Sequence, residues 1–261
     1  MKSIRINNVR LRVRDKQKQL RFYRDTLGLD VADKGQVVEL SPEGAVDPLI
    51  VLEVDPNASP RRRTSTGLFH QALRFPTRKT LALVFKRLYE LQYPFEGFAD
   101  HGVSEAIYTA DPEGNGVELY WDKPREQWPF QNGQIAMVTD PLDLENLTGE
   151  LHTSDVWTGL DPRVDMGHVH LHVSNLKRSE DFYCDRLGLE VTQRTYPGAL
   201  FMSVGGYHHH VAVNTWGGRE LPQPGETGLL SFALSMENTV SAVDSAVSDP
   251  DGIGIIISQG S

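Results

Sequence analysis

Residues 169 to 190 repeat residues 9 to 30 at a constant offset of 160. The earlier stretch reads V-R-L-R-V-R-D-K-Q-K-Q-L-R-F-Y-R-D-T-L-G-L-D and the later one V-H-L-H-V-S-N-L-K-R-S-E-D-F-Y-C-D-R-L-G-L-E. Self-similarity at so long a period marks a duplicated supersecondary unit, and it limits the chain to folds that can be assembled from copies of it. Each copy begins with an alternating apolar and polar run, the pattern of a half-buried strand. A polar break follows, then a helix carrying Phe-Tyr, then L-G-L-(D/E). Gly28 and Gly188 stand where a helix C-terminus takes a left-handed residue. Phe22, Tyr23, Phe182 and Tyr183 fall at helix positions that pack on a sheet. Strand-like runs come next: V-V-E-L-S and L-I-V-L-E-V after the first copy, A-L-F-M-S-V and H-H-H-V-A-V after the other. The unit is a strand and a helix followed by about three strands.

A second pair is interleaved with the first. T-G-L-F-H-Q-A-L at 66 to 73 matches T-G-L-L-S-F-A-L at 227 to 234, an offset of 161. After the earlier of these, the pattern predicts a helix over Lys79–Leu91 and strands near Ala106–Thr109 and Val117–Trp121. D-P-E-G-N-G at 111 to 116 is the turn between those strands. The later copy has D-P-D-G at 249 to 252, but Leu234 to Asp249 is only 15 residues where Leu73 to Asp111 is 38. It has lost about two strands' worth of chain.

The chain therefore reads as an α+β protein of four βαβββ units, the fourth truncated. They occupy residues 1–60 and 64–122, forming a first domain, and 166–217 and 226–261, forming a second. Residues 123–165 lack periodicity except for a short helical stretch at Leu142–Leu151, and are expected to form a linker that wraps the surface.

Composition excludes several function classes. The formal net charge is −9 and the only basic run is Arg61-Arg62-Arg63, expected as a solvated loop. That balance argues against a nucleic-acid partner. The single cysteine, Cys184, rules out an internal disulfide framework and shows no sign of activation. No apolar signal core or membrane-length run is present, so a cytoplasmic protein with no membrane partner is expected.

Chemistry is concentrated in M-G-H-V-H-L-H-V at 166 to 173. In a strand, His168, His170 and His172 share one face and Val169, Leu171 and Val173 the other. G-L-F-H around His70 and N-G-V-E-L-Y around Glu118 belong to the same site in this reading. Two neutral imidazoles and one carboxylate are the ligand set of a mononuclear non-haem Fe(II) centre with open positions.

The βαβββ repeats, with Phe-Tyr and L-G-L in the helix and D-P-x-G-N-G-x-E before a last strand, resemble the vicinal oxygen chelate superfamily. That superfamily includes glyoxalases, bleomycin- and fosfomycin-resistance proteins and type I extradiol dioxygenases, and the likeness is strongest to bacterial catechol-2,3-dioxygenase-like proteins. The resemblance covers nearly the whole chain. It implies paired cup-shaped mixed sheets with helices outside, and metal ligands from the first strand of each unit and the last strand of one. Carried over by position, the ligands are His168, His70 and Glu118, while Asn8, Ser231 and Ile256 fill the corresponding places in units one and four. Ligands thus divide between units two and three, which departs from the commonest extradiol arrangement. Those two units must pair, either within one chain or across a homo-oligomer.

The resemblance also implies further roles. His209 in H-H-H-V-A-V falls on the acid–base histidine, on the opposite strand face from His208 and His210. Tyr108 falls on the active-site tyrosine, and His101 and His170 line the substrate pocket. The D-H-G-V-S-E-A-I-Y segment at 100 to 108 differs in spacing by a residue or so from the extradiol form. The implied activity is Fe(II)-dependent extradiol cleavage of a catechol-type substrate with O2, Mn(II) being compatible with the same ligands. The alternatives are a glyoxalase-type isomerase or lyase using Ni(II) or Zn(II), and a non-enzymatic binding protein of the bleomycin-resistance kind. A glyoxalase site takes a second carboxylate from the last strand of the other unit. That position falls in H-H-H-V-A-V, which favours the dioxygenase.

Overall fold

The computed structural model describes residues 3–237 and 245–260. Its backbone reproduces the repeat in detail. Lys16–Leu20 and Leu176–Glu180 are α-helical, and each runs on into a wider π-type turn, Arg21–Thr26 and Asp181–Arg186. The polar break before each helix is its N-cap: Asp15 accepts from the Lys18 amide and Asn175 from the Arg178 amide. Gly28 and Gly188 end the helices at φ of 77° and 74°. The Leu29 and Leu189 amides reach back to the Tyr23 and Tyr183 carbonyls, closing a Schellman-type end.

Among the described residues, two large sheets carry the chain, beside a two-stranded ribbon of Phe130–Gln131 and Gln134–Ile135. In the first, neighbouring strands run in the order Ser245–Ser248, Gly254–Gln259, Gly228–Met236, Ile4–Val13, Ile50–Val54, Val37–Ser41 and Asp30–Asp33. In the second they run Glu190–Gln193, Ala199–Ser203, Val211–Asn214, Asp165–His172, Gly67–Arg74, Gly116–Asp122, Ser104–Ala110 and Gly97–Asp100. Both are mixed, with a central antiparallel pair flanked by parallel neighbours. Unit one therefore pairs with unit four, and unit two with unit three, within a single chain. Each sheet takes one unit from either side of residues 123–165.

The helix of unit two spans Arg78–Glu90, with a capping box between Thr77 and Thr80. Its Leu81, Val84, Phe85 and Leu88 are buried, and the opposite face is wet. In unit four only eight residues separate Met236 from Ser245, where 29 separate Arg74 from Ser104. Among the described residues, unit four has three strands where unit two has four strands and a helix. Among those residues the first sheet has seven strands to the second sheet's eight. Residues 238–244 of that unit lie outside the described residues.

Two expectations about irregular segments need correction. The arginine run is not simply solvated. Arg61 is half-buried and donates to the carbonyls of Leu68 and Ser65, while Arg62 pairs with Glu226 and Glu220. Residues 123–165 contribute Trp128, Ile135 and Met137 to an apolar cluster with Phe201, Tyr207 and Ala212. Their helix is Leu144–Thr148, shorter than the 142–151 stretch, capped by Asp143 and ended at Gly149. No helix among the described residues is long and apolar enough to cross a membrane.

Candidate metal centre and active site

The three candidate ligands come from three adjacent strands of the second sheet. His70 lies on Gly67–Arg74, Glu118 on Gly116–Asp122 and His168 on Asp165–His172. Register brings them together. His70 pairs with Gly116 and Ala72 with Glu118 across a parallel ladder, and His168 faces Ala72 across the antiparallel one. Alternation then turns all three side chains to one face. The first sheet repeats this register with Ser231 opposite Gly254, Ala233 opposite Ile256, and Asn8 opposite Ala233. It places Asn8, Ser231 and Ile256 where the second sheet has His168, His70 and Glu118. None of the three is a ligand type for such a site: Ile256 has no donor atom and is exposed as well.

The triad is buried, His70 at 6%, Glu118 at 2% and His168 at 1% exposure. Glu118 Oε2 lies 2.9 Å from His70 Nε2 and 3.1 Å from His168 Nε2. One donor atom from each residue falls within 4.8 Å of the others. Metal–ligand bonds of about 2.1 Å set donors at right angles about 3 Å apart, so the spacing fits a shared ion. A second observation fits it too. Despite its short distance, His70 Nε2 is buried with no aligned hydrogen bond. It aims beside the carboxylate rather than at it. Burial pushes the Glu118 carboxyl up, but His168 and His70 outweigh that and hold it well below the usual carboxylate range. Burial, only partly opposed by Glu118, takes His168 down to about 4. An anionic carboxylate beside a neutral imidazole is the ionisation state that ligates a divalent cation.

Two of the three, His70 and Glu118, open on a cavity of about 210 Å³, with His168 buried behind them. His70 and Glu118 form its floor, and Phe69, Met137, Phe201, Tyr196 and Trp216 give it largely apolar walls. His101, Tyr108, His170 and His209 all line it. A larger cavity of about 690 Å³ lies elsewhere, near Arg5, Arg74, Arg163 and His210, and holds none of the triad.

Each lining residue is held in a definite way. Tyr108 sits directly across the strand pair from Glu118. Its hydroxyl is 2.7 Å from His101 Nε2, and His101 Nδ1 donates to the Val138 carbonyl at 2.7 Å. With Nδ1 carrying that hydrogen, the other ring nitrogen, Nε2, is the one that can accept from the Tyr108 hydroxyl. Burial and the Glu118 charge push the Tyr108 phenol well above its ordinary range, so it stays protonated. Asn214 Oδ1 accepts from the Trp216 amide and from His172 Nδ1, which leaves its Nδ2 to donate to His170 Nε2 at 2.9 Å. Burial, then His70 and His168, hold His170 well below the usual histidine range.

The H-H-H segment is not strand, because pairing begins at Val211. It is a loop that threads the three rings apart. His209 lines the cavity with its ring 4.0 Å from that of His168. His208 turns to Asp122, and His210 to Ser203. The expected division of faces holds, but loop geometry produces it instead of strand alternation.

Sequence reading missed the contribution of residues 137–139. Met137, Val138 and Thr139 form one wall of the cavity, fastened by Gln193 Nε2 on the Met137 carbonyl and by the Thr139 and Tyr196 hydroxyls. Nothing periodic marks these positions, so no local signal would have found them.

A family model described as the Glyoxalase/Bleomycin resistance protein/Dioxygenase superfamily matches residues 5–119 and 165–256. The chain belongs to that superfamily. It is 40% identical over 222 residues to a catechol-2,3-dioxygenase of Bacillus subtilis (strain 168), covering 83% of this chain and 76% of that one. In fold it resembles a Bacillus subtilis (subsp. subtilis str. 168) protein described as a candidate dioxygenase, at a TM-score of 0.65 and 16% identity over 97% of this chain and 84% of that one. It also resembles maize glyoxalase I, at a TM-score of 0.57 and 14% identity over 99% of this chain and 93% of that one. At such identities these two likenesses speak for the fold alone.

Proposed function

We propose that the protein is an Fe(II)-dependent extradiol dioxygenase that cleaves the ring of a catechol-type substrate with O2. The observation that carries this reading is the convergence of His70, His168 and Glu118 on one point at the floor of an apolar cavity, supported by the 40% identical catechol-2,3-dioxygenase. His70 Nε2, His168 Nε2 and Glu118 would hold the ion, whose chemistry is to bring O2 and an electron-rich aromatic into reaction. Mn(II) suits the same donors.

The chain's own side chains do the rest. Phe69, Phe201 and Trp216 give a flat ring apolar faces to lie against and exclude water. His209 takes a substrate hydroxyl proton and later returns it. Burial, then the neighbouring imidazoles of His168 and His208, hold it well below the usual histidine range, so it meets substrate as a neutral base. The Tyr108 phenol, fixed through His101 to the Val138 carbonyl, orients a substrate oxygen. His170, locked by Asn214, shapes the wall between ligand and ring.

The glyoxalase reading is disfavoured by one position. Along the unit-three ladder, Ala212 pairs with His170 as Glu118 pairs with Ala72. A methyl group stands where a second carboxylate would have to be. The test is oxygen uptake by anaerobically Fe(II)-reconstituted protein with catechol and simple substituted catechols. Uptake with a yellow ring-fission product supports the reading. Iron-loaded protein that consumes no oxygen with any of them overturns it.

A further inference from the structure

The nitrogen that His209 offers to the cavity is set from outside the cavity. His208 Nε2 lies 2.8 Å from Asp122 Oδ1, and His208 Nδ1 lies 2.8 Å from His209 Nδ1. An ionised carboxylate only accepts, so His208 Nε2 carries the hydrogen of that bond. A neutral His208 then has a bare Nδ1, which can only accept. The hydrogen between the two rings must therefore belong to His209 Nδ1, and His209 Nε2 is left as a lone pair.

The apparatus behind His208 is built to hold this arrangement. Asp122 Oδ2 accepts from the Tyr207 hydroxyl at 2.9 Å, and Arg74 approaches it at 3.5 Å. The Tyr207 and Tyr120 hydroxyls share a 2.8 Å bond. His208 is fully buried, with Tyr207 against its ring at 4.0 Å and Trp128 at 5.3 Å. Asp122 stands at the end of the strand that carries Glu118, so one strand supplies a ligand and the anchor of this chain of bonds.

We infer that Asp122 and His208 are positioning residues that select the tautomer of His209, so that a substrate hydroxyl meets a basic Nε2. The catalytic meaning rests on the reading of His209 as the acid–base group, but the tautomer does not. Neither residue touches the cavity.

The experiment uses the full chain with ¹⁵N-labelled histidine, loaded with diamagnetic Zn(II), and reads the tautomer from long-range proton–nitrogen spectra, with His209→Gln for assignment. The wild type should show His209 protonated at Nδ1. In His208→Phe and Asp122→Ala the balance should swing at least tenfold towards the Nε2–H form that free imidazole side chains prefer. Asp122→Asn, whose amide oxygen can still accept from His208, should keep the wild-type tautomer. On Fe(II)-loaded protein, Asp122→Ala should lower kcat about 10- to 100-fold at nearly constant KM, with Asp122→Asn recovering most of it. A wild-type spectrum with His209 protonated at Nε2 overturns the inference even if a variant fails to fold. So does an unchanged His209 tautomer in both folded variants. The expected spectra in a protein that consumes no oxygen would overturn only the dioxygenase reading.

Discussion

Tyr23 and Asp111, 88 residues apart, meet in a buried hydrogen bond of 3.3 Å, the phenol donating to Oδ2. Tyr183 and Asp249 form the same bond at 3.1 Å in the other half of the repeat. Each joins the helix of one unit to the D-P-x-G turn of the next, and each carboxylate also caps its own turn. Asp111 Oδ1 takes the amides of Glu113 and Asn115, and Asp249 Oδ1 those of Asp251 and Ile253. Tyr23 further accepts from Gln71, next in the chain to His70. Removing the hydroxyl in Tyr23→Phe should cost about 1–2 kcal/mol, because Asp111 Oδ2 keeps only the Asn115 donor and the buried Gln71 Nε2 loses its acceptor. Denaturant unfolding checks this, and a Tyr23→Phe midpoint equal to wild type would show the bond to be idle.

Gly28 is confined twice over. Its φ of 77° is left-handed, and a Cβ there would lie 2.8 Å from the Leu160 amide nitrogen. Gly28→Ala should destabilise by about 2–4 kcal/mol, combining backbone strain with a clash against main chain that cannot rotate away. Thermal unfolding would measure it.

Glu118 is the one anionic donor of the triad and touches both imidazoles. Glu118→Ala should lower divalent-metal affinity by more than about 100-fold and bring metal content near zero after dialysis, since even outer-shell partners contribute 10- to 100-fold. Metal analysis of folded variant protein provides the check. Full retention of metal would mean that another group binds it.

Tyr108→Phe keeps the ring and removes only the hydroxyl shared with His101. If that hydroxyl orients a substrate oxygen, kcat should fall about tenfold with KM little changed. Steady-state oxygen consumption separates the two constants, and an effect confined to KM would place Tyr108 in binding alone.

Asp122 titrates in a predictable direction. Burial raises its carboxyl, but the hydrogen bond from His208 and then the Arg74 charge outweigh that, so its folded pKa lies below the ordinary 3.8. A depressed acid stabilises the fold above its unfolded pKa and loses that contribution as pH falls through the folded value. Asp122→Asn should therefore lower stability at neutral pH and flatten the loss of stability below about pH 4. Unfolding curves at several pH values would show it.

Much of this molecule is written in local pattern. Four repeats, the N-caps at Asp15 and Asn175, the left-handed glycines at 28 and 188 and the alternation of M-G-H-V-H-L-H-V all depend on neighbours a few residues away, and all appear in the backbone. The meeting of His70, His168 and Glu118 was legible for a related reason. Once the repeats are aligned, position within a unit fixes position within a ladder, and ladder register decides which side chains share a face.

What the tertiary structure alone decided has no period to read. Whether units two and three meet in one chain depends on how 43 residues between them fold back, and linker composition carries no such information. Met137–Thr139 wall the cavity because Gln193 and Tyr196 hold them there, contacts across more than 50 residues. His209 reaches the site from a loop, where orientation follows from what each ring finds to bond with: Asp122 for His208, Ser203 for His210, and the cavity for the ring between them. Short-range pattern sets faces and caps, since those forces act between residues near in sequence. Hydrogen bonds and packing between distant segments exist only after the chain has closed on itself, and they set the walls and the bonded surroundings of the site.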